Sequence, residues 1–335
     1  MTGAGVKLCG ALLLALGALA GALPAHAADT VKLSYVLASV EYADMLLAVD
    51  KGYFAEEGID LQLEQAGGGV AVPALISGNI DFTGSGSVAI SAILKGAKLK
   101  VLVVVDSHPA MQIWAQSAFK SFADLKGRPI GIISRGDTTE IAIRYYLAKH
   151  GLPEDYVSYT PLGPGAARFA AILSGSFPAA LVNASEVADM RSAGKLGHLH
   201  RVVDLRRELD MAYNALATSD ALIKSNPDLV RRMVRAILKG VRHVRASRAD
   251  TIAALVRHGK TNTEADGIEY DALIGSISKT GTMPRKAQDF DIGLRAQMLG
   301  VAKDKVSAAG VFDFSFAEKA NAELDAAHWQ PKLGP

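Results

Sequence analysis

One short sequence pattern occurs twice in this chain, about one small domain apart. Residues 74–82 (ALISGNIDF) and 171–180 (AILSGSFPAA) both end a helical pattern with Ser-Gly and then become apolar, and the glycines of the two patterns are 97 residues apart. A second pair of glycines that ends a helix before a strand, Gly58 and Gly151, repeats with an offset of 93. Glycine is favoured after a helix because it adopts positive φ without a Cβ clash. The similar offsets predict two related halves built from the same elements.

Strand and helix patterns alternate along the chain. Apolar residues alternate with polar ones over 31–37, a helical pattern covers 42–50, and 100–105 is a strongly apolar strand pattern. This alternation predicts an α/β fold in which each half is a mostly parallel sheet with helices on both faces. Ligands of such sheets bind beyond the carboxyl ends of the strands. In the first half those ends are the loops 38–42, 66–69, 83–86 and 106–109.

The two halves are expected to be lobes with a ligand cleft between them. The segment 121–131 (SFADLKGRPIG) predicts a short helix followed by the first strand of a new sheet, and the strand pattern 211–218 returns the chain to the first sheet. We therefore expect lobe 1 to comprise residues 28–118 plus 208–335, and lobe 2 residues 119–207. Hydrophobic residues make up 50% of the chain, which allows a sizeable core. The formal net charge of +2 gives no electrostatic basis for binding nucleic acid.

The N-terminal segment has the features of a signal peptide. Lys7 precedes an apolar run over 8–23, and an A-x-A site at 25–27 follows Pro24. We expect cleavage after Ala27 and export to a bacterial periplasm. The run is shorter than the roughly 20 apolar residues of a membrane span. The only cysteine, Cys9, lies inside the run, so the mature chain has no disulfide, thiol nucleophile or cysteine metal site.

An ordered set of five motifs spans much of the chain. The motifs, in order, are DKGYF at 50–54, EGID at 57–60, ALISGNIDF at 74–82, DLKGRPIG at 124–131 and NPDLV at 226–230. Over roughly residues 31–250 the chain thereby resembles the periplasmic solute-binding proteins of ABC importers for nitrate, sulfonates, taurine and thiamine pyrimidine precursors. The resemblance implies a type II two-lobed periplasmic-binding-protein fold, whose hinge is crossed twice and which closes on one small ligand. It also implies docking on an inner-membrane permease, and we expect a monomer.

Candidate ligand residues lie in the strand-to-helix loops. The glycine loop at 84–86 exposes backbone N–H groups at a helix N-terminus, which suits an oxyanion or a carbonyl. Arg135 can pair with a carboxylate or sulfonate, Tyr42 can stack on a planar ligand, and Glu41 can accept from the amino group of a heterocycle. Tight turns and helix capping are the structural alternatives. The full set is Ser39, Glu41, Tyr42, Gly68, Gly84, Ser85, His108, Arg135, Asp137, Thr138, Thr139, Asn183 and Ser185.

Other functional classes have weaker support in the sequence. Residues 84–89 fit the dinucleotide fingerprint G-x-G-x-x-A, with Asp106 at the expected distance, but they fall in the third strand–helix unit. No H-E-x-x-H, G-x-S-x-G or P-loop pattern occurs, and His198 and His200 lack a third ligand nearby. We therefore predict a binding protein without enzymatic activity, cofactor or metal. The predicted ligand is a small organic anion, either sulfonate-like or an aromatic carboxylate. The alternatives are a pyrimidine-type heterocycle as the ligand and a periplasmic enzyme on the same fold.

Overall fold

A computed structural model of the chain describes residues 28–163, 165–302 and 305–334. The predicted signal peptide, residues 1–27, lies outside the described residues. Within the described ranges, no helix combines the length and the apolar character needed to cross a bilayer.

The first sheet has five strands in the order β2-β1-β3-β10-β4. Strand β10 runs antiparallel to both of its neighbours, and the other four strands share one direction. Because β10 comes from far along the chain, the first lobe contains two separate stretches of sequence. The strands are β1 (Asp29–Tyr35), β2 (Ile59–Gln65), β3 (Phe82–Thr83), β4 (Leu99–Asp106) and β10 (Asn214–Ser219).

The second sheet repeats this arrangement in the order β7-β6-β8-β5-β9. Strand β5 takes the place of β10 as the single reversed strand, and β6 to β9 correspond to β1 to β4. The prediction of two related halves is confirmed, although each sheet is mixed because it includes one reversed strand. The strands are β5 (Met111–Ala115), β6 (Pro129–Ile132), β7 (Ser158–Pro161), β8 (Ala179–Asn183) and β9 (His200–Asp204).

The chain crosses between the sheets twice, at 107–110 and at 205–213. The first crossing differs from the predicted boundary after residue 118, because β5 pairs with β8 and β9 in the second sheet. Strand β5 is apolar and follows β4 after a short loop, so its sequence suggests one more strand of the first sheet. Its pairing with β8 and β9, which are distant in sequence, places it in the second sheet. The return crossing includes the predicted boundary at 208.

Helices cover both sheets, and one long helix joins distant parts of the first lobe. Arg235 on this helix, α9, donates to Glu57 and to Glu323. The helices of the first half are α1 (Ala43–Asp50), α2 (Tyr53–Glu56), α3 (Gly68–Ile76) and α4 (Gly86–Leu94). The second lobe carries α5 (Thr138–Lys149), α6 (Gly165–Leu173) and α7 (Ala184–Ser192). The C-terminal part adds α8 (Asp220–Ser225), α9 (Pro227–Ala246), α10 (Arg248–Gly259), α11 (Thr263–Leu273), α12 (Arg285–Met298), α13 (Ala308–Val311) and α14 (Ser315–Ala326).

Helix α12 contacts both lobes. It carries a buried ion pair of Asp291 with Arg295, which we call the hinge clamp. The Asp291 carboxylate accepts the N–H of Ala212 at 3.0 Å and the Arg295 Nε–H at 2.6 Å. Arg295 also donates to the carbonyls of Ser87 at 2.9 Å and Ala212 at 3.3 Å. Leu294, the residue directly before Arg295, packs in the hydrophobic core of the second lobe. The hinge clamp therefore connects the return crossing at 205–213 with the start of α4.

Candidate functional site

The two lobes touch along the edge formed by the first strand-to-helix loop and the first crossing. The N–H of Ala184, at the start of α7 in the second lobe, donates to the carbonyl of Ala110 at 2.8 Å. Ala184 also belongs to the same buried apolar cluster as Val40 and Tyr42 of the first lobe. Helix α7 packs against α11, which the first lobe supplies. This edge of the cleft is closed.

Buried carboxyl groups gather at this closed edge. We call Glu41, Asp44, Asp106 and Glu269 the acidic cluster, and each of the four is at most 5% exposed. Burial raises the pKa of Glu41 and of Asp44 to about 7. Burial and the nearby Glu41 carboxylate raise the pKa of Asp106 and of Glu269 well above the ordinary range. Loss of water disfavours the charged form, and neighbouring negative charges add to the effect.

Many acceptor atoms at this edge have no protein partner within the described residues. The Asp44 carboxylate lies near the N–H of Met45 and the Asn214 side chain, yet neither of its oxygens has hydrogen-bond geometry with them. Buried polar atoms are normally satisfied, so such a group of exceptions indicates a ligand or water. Carboxylate and amide oxygens accept hydrogen bonds, so the missing partner is a donor. The unpartnered atoms include both Asp44 oxygens, Asp106 Oδ2, Asn183 Oδ1, Asn214 Oδ1, Glu269 Oε1 and the hydroxyls of Ser39 and Ser85.

Positive side chains near the cluster are engaged elsewhere. The fully buried Arg168 donates to both carboxylate oxygens of Glu186, at 2.8 and 2.6 Å. Arg206 lowers the pKa of Asp106 from a distance, but its own ion pair is with Asp204. Among the described residues, no group of three or more His, Cys, Asp or Glu side chains is arranged to hold a metal ion.

Several predicted ligand residues surround this edge. Ser39, Glu41, Tyr42 and Ser85 are buried there. His108 is half-buried, and its N–H donates to Asp106 Oδ1 at 2.8 Å. Asn183 and Ser185 lie at the start of α7, where the Asn183 N–H donates to Glu186 at 2.9 Å.

The glycine loop at 84–86 is explained by packing. A Cβ on Gly84 would lie 2.8 Å from Met45 Cε and 3.3 Å from the Ser34 carbonyl oxygen. A Cβ on Gly86 would lie 2.4 Å from the Ala215 Cβ, where α4 approaches β10. Gly86 is therefore required for close contact within the first lobe, whereas a Cβ on Gly84 would displace the flexible end of the Met45 side chain. The Ser85 hydroxyl, which is buried and unpartnered, is the atom of this loop that remains free to contact a ligand.

The loop before α5 uses most of its polar groups internally. Asp137 caps the helix by accepting the N–H groups of Thr139 at 3.0 Å and Glu140 at 3.2 Å. The Thr139 hydroxyl accepts the N–H of Ile133 at 3.1 Å, and Thr138 is the first residue of the helix. The Arg135 side chain is 57% exposed and lies 3.5 Å from the Glu140 carboxylate. Capping and contacts within the loop therefore account for the polar groups of Asp137 and Thr139, and the Glu140 carboxylate already faces Arg135.

Two predicted residues, Gly68 and Arg135, instead line a cavity of about 740 Å³. The cavity lies between α3 and α4 of the first lobe and α5 and α12 on the opposite side. A Cβ on Gly68 would lie 2.5 Å from a methyl group of Val88, so this glycine also permits a tight contact. Further lining residues are Val72, Pro73, Ile76, Lys95, Glu140, Ile141, Arg144, Glu154 and Met298.

Asp44, Asn214 and Glu269 also lie at this edge, and no pattern in the sequence marks them as candidate ligand residues. Asp106 was considered only as the acid of a dinucleotide fingerprint. Asp106 and Asn214 are direct partners across β4 and β10, but this pairing joins positions that are distant in sequence. The one available signal was position, because Asp106 ends the most apolar strand of the chain.

Comparisons with known proteins agree with this architecture. A family model described as NMT1/THI5-like matches residues 39–249, more than half of the chain. The chain belongs to the NMT1/THI5-like family. Within curated relatives, the riboflavin-binding protein RibY of Chloroflexus aurantiacus is 30% identical over 231 residues. That match covers 67% of this NMT1/THI5-like chain and 62% of RibY, so the chain spans less than two thirds of RibY.

Solved structures show that this NMT1/THI5-like chain has the periplasmic-binding-protein fold. The aliphatic sulphonate-binding protein SsuA of Escherichia coli aligns with a TM-score of 0.69 at 19% identity, covering 92% of this chain and 94% of SsuA. The desulfurization enzyme DszB aligns with a TM-score of 0.64 at 15% identity, covering 88% of this chain and 99% of DszB. Binding proteins and an enzyme thus share the fold.

Proposed function

We propose that the chain is the periplasmic ligand-binding component of an ABC importer. It acts as an exported monomer that captures one small molecule between its lobes and delivers it to an inner-membrane permease. The observation that carries this proposal is the closed edge, where loops of both lobes enclose buried polar atoms that lack protein partners. Hinge closure around a ligand is a common transition of two-lobed proteins. The predicted signal peptide and the family membership support export and binding.

The ligand favoured by this site is a nitrogen heterocycle of the pyrimidine type. An amino substituent on such a ring presents N–H donors to the acceptor atoms of the closed edge, and Tyr42 offers the ring an aromatic neighbour. The relative RibY is a riboflavin-binding protein, and riboflavin is also a nitrogen heterocycle. Glu41, at the first loop, is placed to accept from an amino group once it is ionised.

The organic anion expected from the sequence is the second candidate. A sulfonate or carboxylate at the closed edge would face the acidic cluster, and like charges at short distance repel. The observation in its favour is the 740 Å³ cavity, where Arg135, Arg144 and Lys95 contribute positive charge beside Glu140 and Glu154. Cavities of this volume are typical of small-molecule sites.

A thermal-shift comparison of four compounds tests the proposal. The purified mature chain is heated with riboflavin, 4-amino-5-hydroxymethyl-2-methylpyrimidine, ethanesulfonate or benzoate. A ligand at a hundredfold excess over its Kd stabilises the folded state by about 2.7 kcal/mol. For a chain of this length, the gain corresponds to a rise in Tm of roughly 4 °C. We expect a heterocycle to raise Tm and the two anions to leave it unchanged. If only ethanesulfonate or benzoate raised Tm, the ligand would be an organic anion and not a heterocycle.

The same samples distinguish a binding protein from an enzyme on this fold. The only cysteine of the chain, Cys9, lies in the predicted signal peptide, so the mature chain has no thiol nucleophile. We expect mass spectrometry to recover each stabilising compound unchanged after overnight incubation with an equimolar amount of protein. Consumption of the compound would favour the enzymatic alternative.

A further inference from the structure

Three residues at the closed edge bring four buried acceptor oxygens together. Asp106 and Asn214 face each other across β4 and β10. Asp106 Oδ1 accepts the His108 N–H at 2.8 Å, and the Asn214 side-chain N–H donates to the Glu41 carbonyl. These contacts fix both side chains and leave Asp106 Oδ2 and Asn214 Oδ1 buried without partners. Asp44 adds both of its carboxylate oxygens and is near the Asn214 amide.

No positive side chain of the described residues neutralises these carboxylates. Arg168 is bound to Glu186, and Arg206 is paired with Asp204. Removing a carboxylate from water without a counter-ion costs several kcal/mol. Buried polar groups without hydrogen-bond partners persist mainly at functional sites, where a bound ligand offsets the free-energy cost of burying them. The Ser39 and Ser85 hydroxyls, also buried and unpartnered, are further acceptors for a ligand with several N–H groups.

We propose that Asp44, Asp106 and Asn214 form a subsite for a positively charged nitrogen of the ligand, an ammonium or amidinium group. This inference rests on the proposed function and narrows the ligand to a cationic compound. The bound cation would hold Asp44 and Asp106 in their ionised forms, and its N–H donors would satisfy oxygens that the protein leaves free. A neutral analogue of the same shape leaves the charges uncompensated, and a site built for hydrogen bonding rejects a compound that lacks the donors.

Paired probes of equal shape test the inference without knowledge of the natural ligand. Benzamidinium and benzamide are both planar, and only the first is charged. Binding of each to the mature chain is measured by saturation-transfer NMR titration at pH 7.5. We expect benzamidinium to bind at least tenfold more tightly than benzamide. Equal affinity for the two probes, or no binding of benzamidinium, would overturn the inference. Because both results are obtained with the wild-type chain, they do not depend on the folding of a variant.

The variant Asp106→Asn removes the charge and keeps an oxygen for the His108 N–H. We expect it to weaken benzamidinium binding at least tenfold and benzamide binding by less. Asp44→Asn is a second variant with the same expectation, in case Asp106→Asn does not fold. Asp60→Asn on the exposed face of β2 is the matched control and should bind as wild type does. Wild-type affinity in a folded Asp106→Asn or Asp44→Asn protein would refute a role for that carboxylate.

Failure of this inference can be separated from failure of the proposed function. If riboflavin or the hydroxymethylpyrimidine raises Tm while benzamidinium does not bind, the chain is a binding protein and the cationic subsite is wrong. If benzamidinium binds and is lost in Asp106→Asn, the subsite stands whatever the transported compound is. Protonation is the other way to satisfy these oxygens, and it would leave the two probes with equal affinity.

Discussion

Loss of the Asp291 carboxylate should destabilise the protein strongly, because it leaves the other half of the hinge clamp buried and charged. The side chains of Arg295 and Asp291 are 1% and 0% exposed, so water cannot replace the lost partner. Breaking a buried ion pair from one side costs about 3–5 kcal/mol. Asp291→Ala also removes the acceptor of the Ala212 N–H, which adds to the cost. This loss is a large fraction of an ordinary free energy of unfolding.

The same helix provides a matched control. Arg285 and Asp289 are also four residues apart on α12, but they are 66% and 53% exposed. Exposed pairs contribute about 0–1 kcal/mol, so Asp289→Ala should have little effect. The double variant Asp291→Ala with Arg295→Met should be more stable than Asp291→Ala alone, since it removes the unpaired charge.

Urea unfolding followed by circular dichroism measures these differences. We expect the free energy of unfolding to fall by about 3–5 kcal/mol for Asp291→Ala. The reasoning would be refuted if Asp291→Ala were as stable as Asp289→Ala, or if adding Arg295→Met made the protein less stable still.

Two further predictions concern packing and pH. Gly86→Ala should lower stability by about 1–3 kcal/mol through overpacking against Ala215, whereas Gly293→Ala on α12, with open space around it, should raise stability by up to about 1 kcal/mol. Equal melting temperatures for the two variants would contradict the close contact. Because the pKa of Glu41 is raised from 4.5 to about 7, the folded state holds its proton more tightly, and stability should fall as pH rises from about 4.5 to 7. Between pH 5 and pH 7.5 the urea midpoint should fall less in Glu41→Gln than in the wild type. An identical fall in both proteins would exclude Glu41 as a source of the pH dependence of stability.

The sequence predicted the features of the fold that repeat locally. Each Ser-Gly pattern precedes a strand at the same place in its sheet, β3 in the first and β8 in the second. It did not predict the reversed strands, because β5 and β10 are identified only by partners far away in the chain. For this reason the first lobe boundary was expected after residue 118 rather than at 107–110, which assigned β5 to the wrong lobe.

The candidate site was only partly predictable for the same physical reason. Loop residues such as Ser39 and Glu41 follow a strand, and that position is visible in sequence. Glu269 comes from a C-terminal helix more than two hundred positions later, and its approach to Glu41 depends on how α11 packs. The carboxylate that faces Arg135 is also not evident from the sequence, because Glu140 lies in the first turn of the following helix.

The late arrival of β10 has a consequence for the order in which the protein can fold. Strands β3 and β4 are separated in the first sheet by β10, so each lacks a neighbour on that side until residues 214–219 have been made. Pairing between such distant segments is slow, because a long loop must close before any contact forms. A nascent chain without β10 therefore has an incomplete first lobe even though most of that lobe's strands were synthesised first. Such a delay is compatible with the export proposed above.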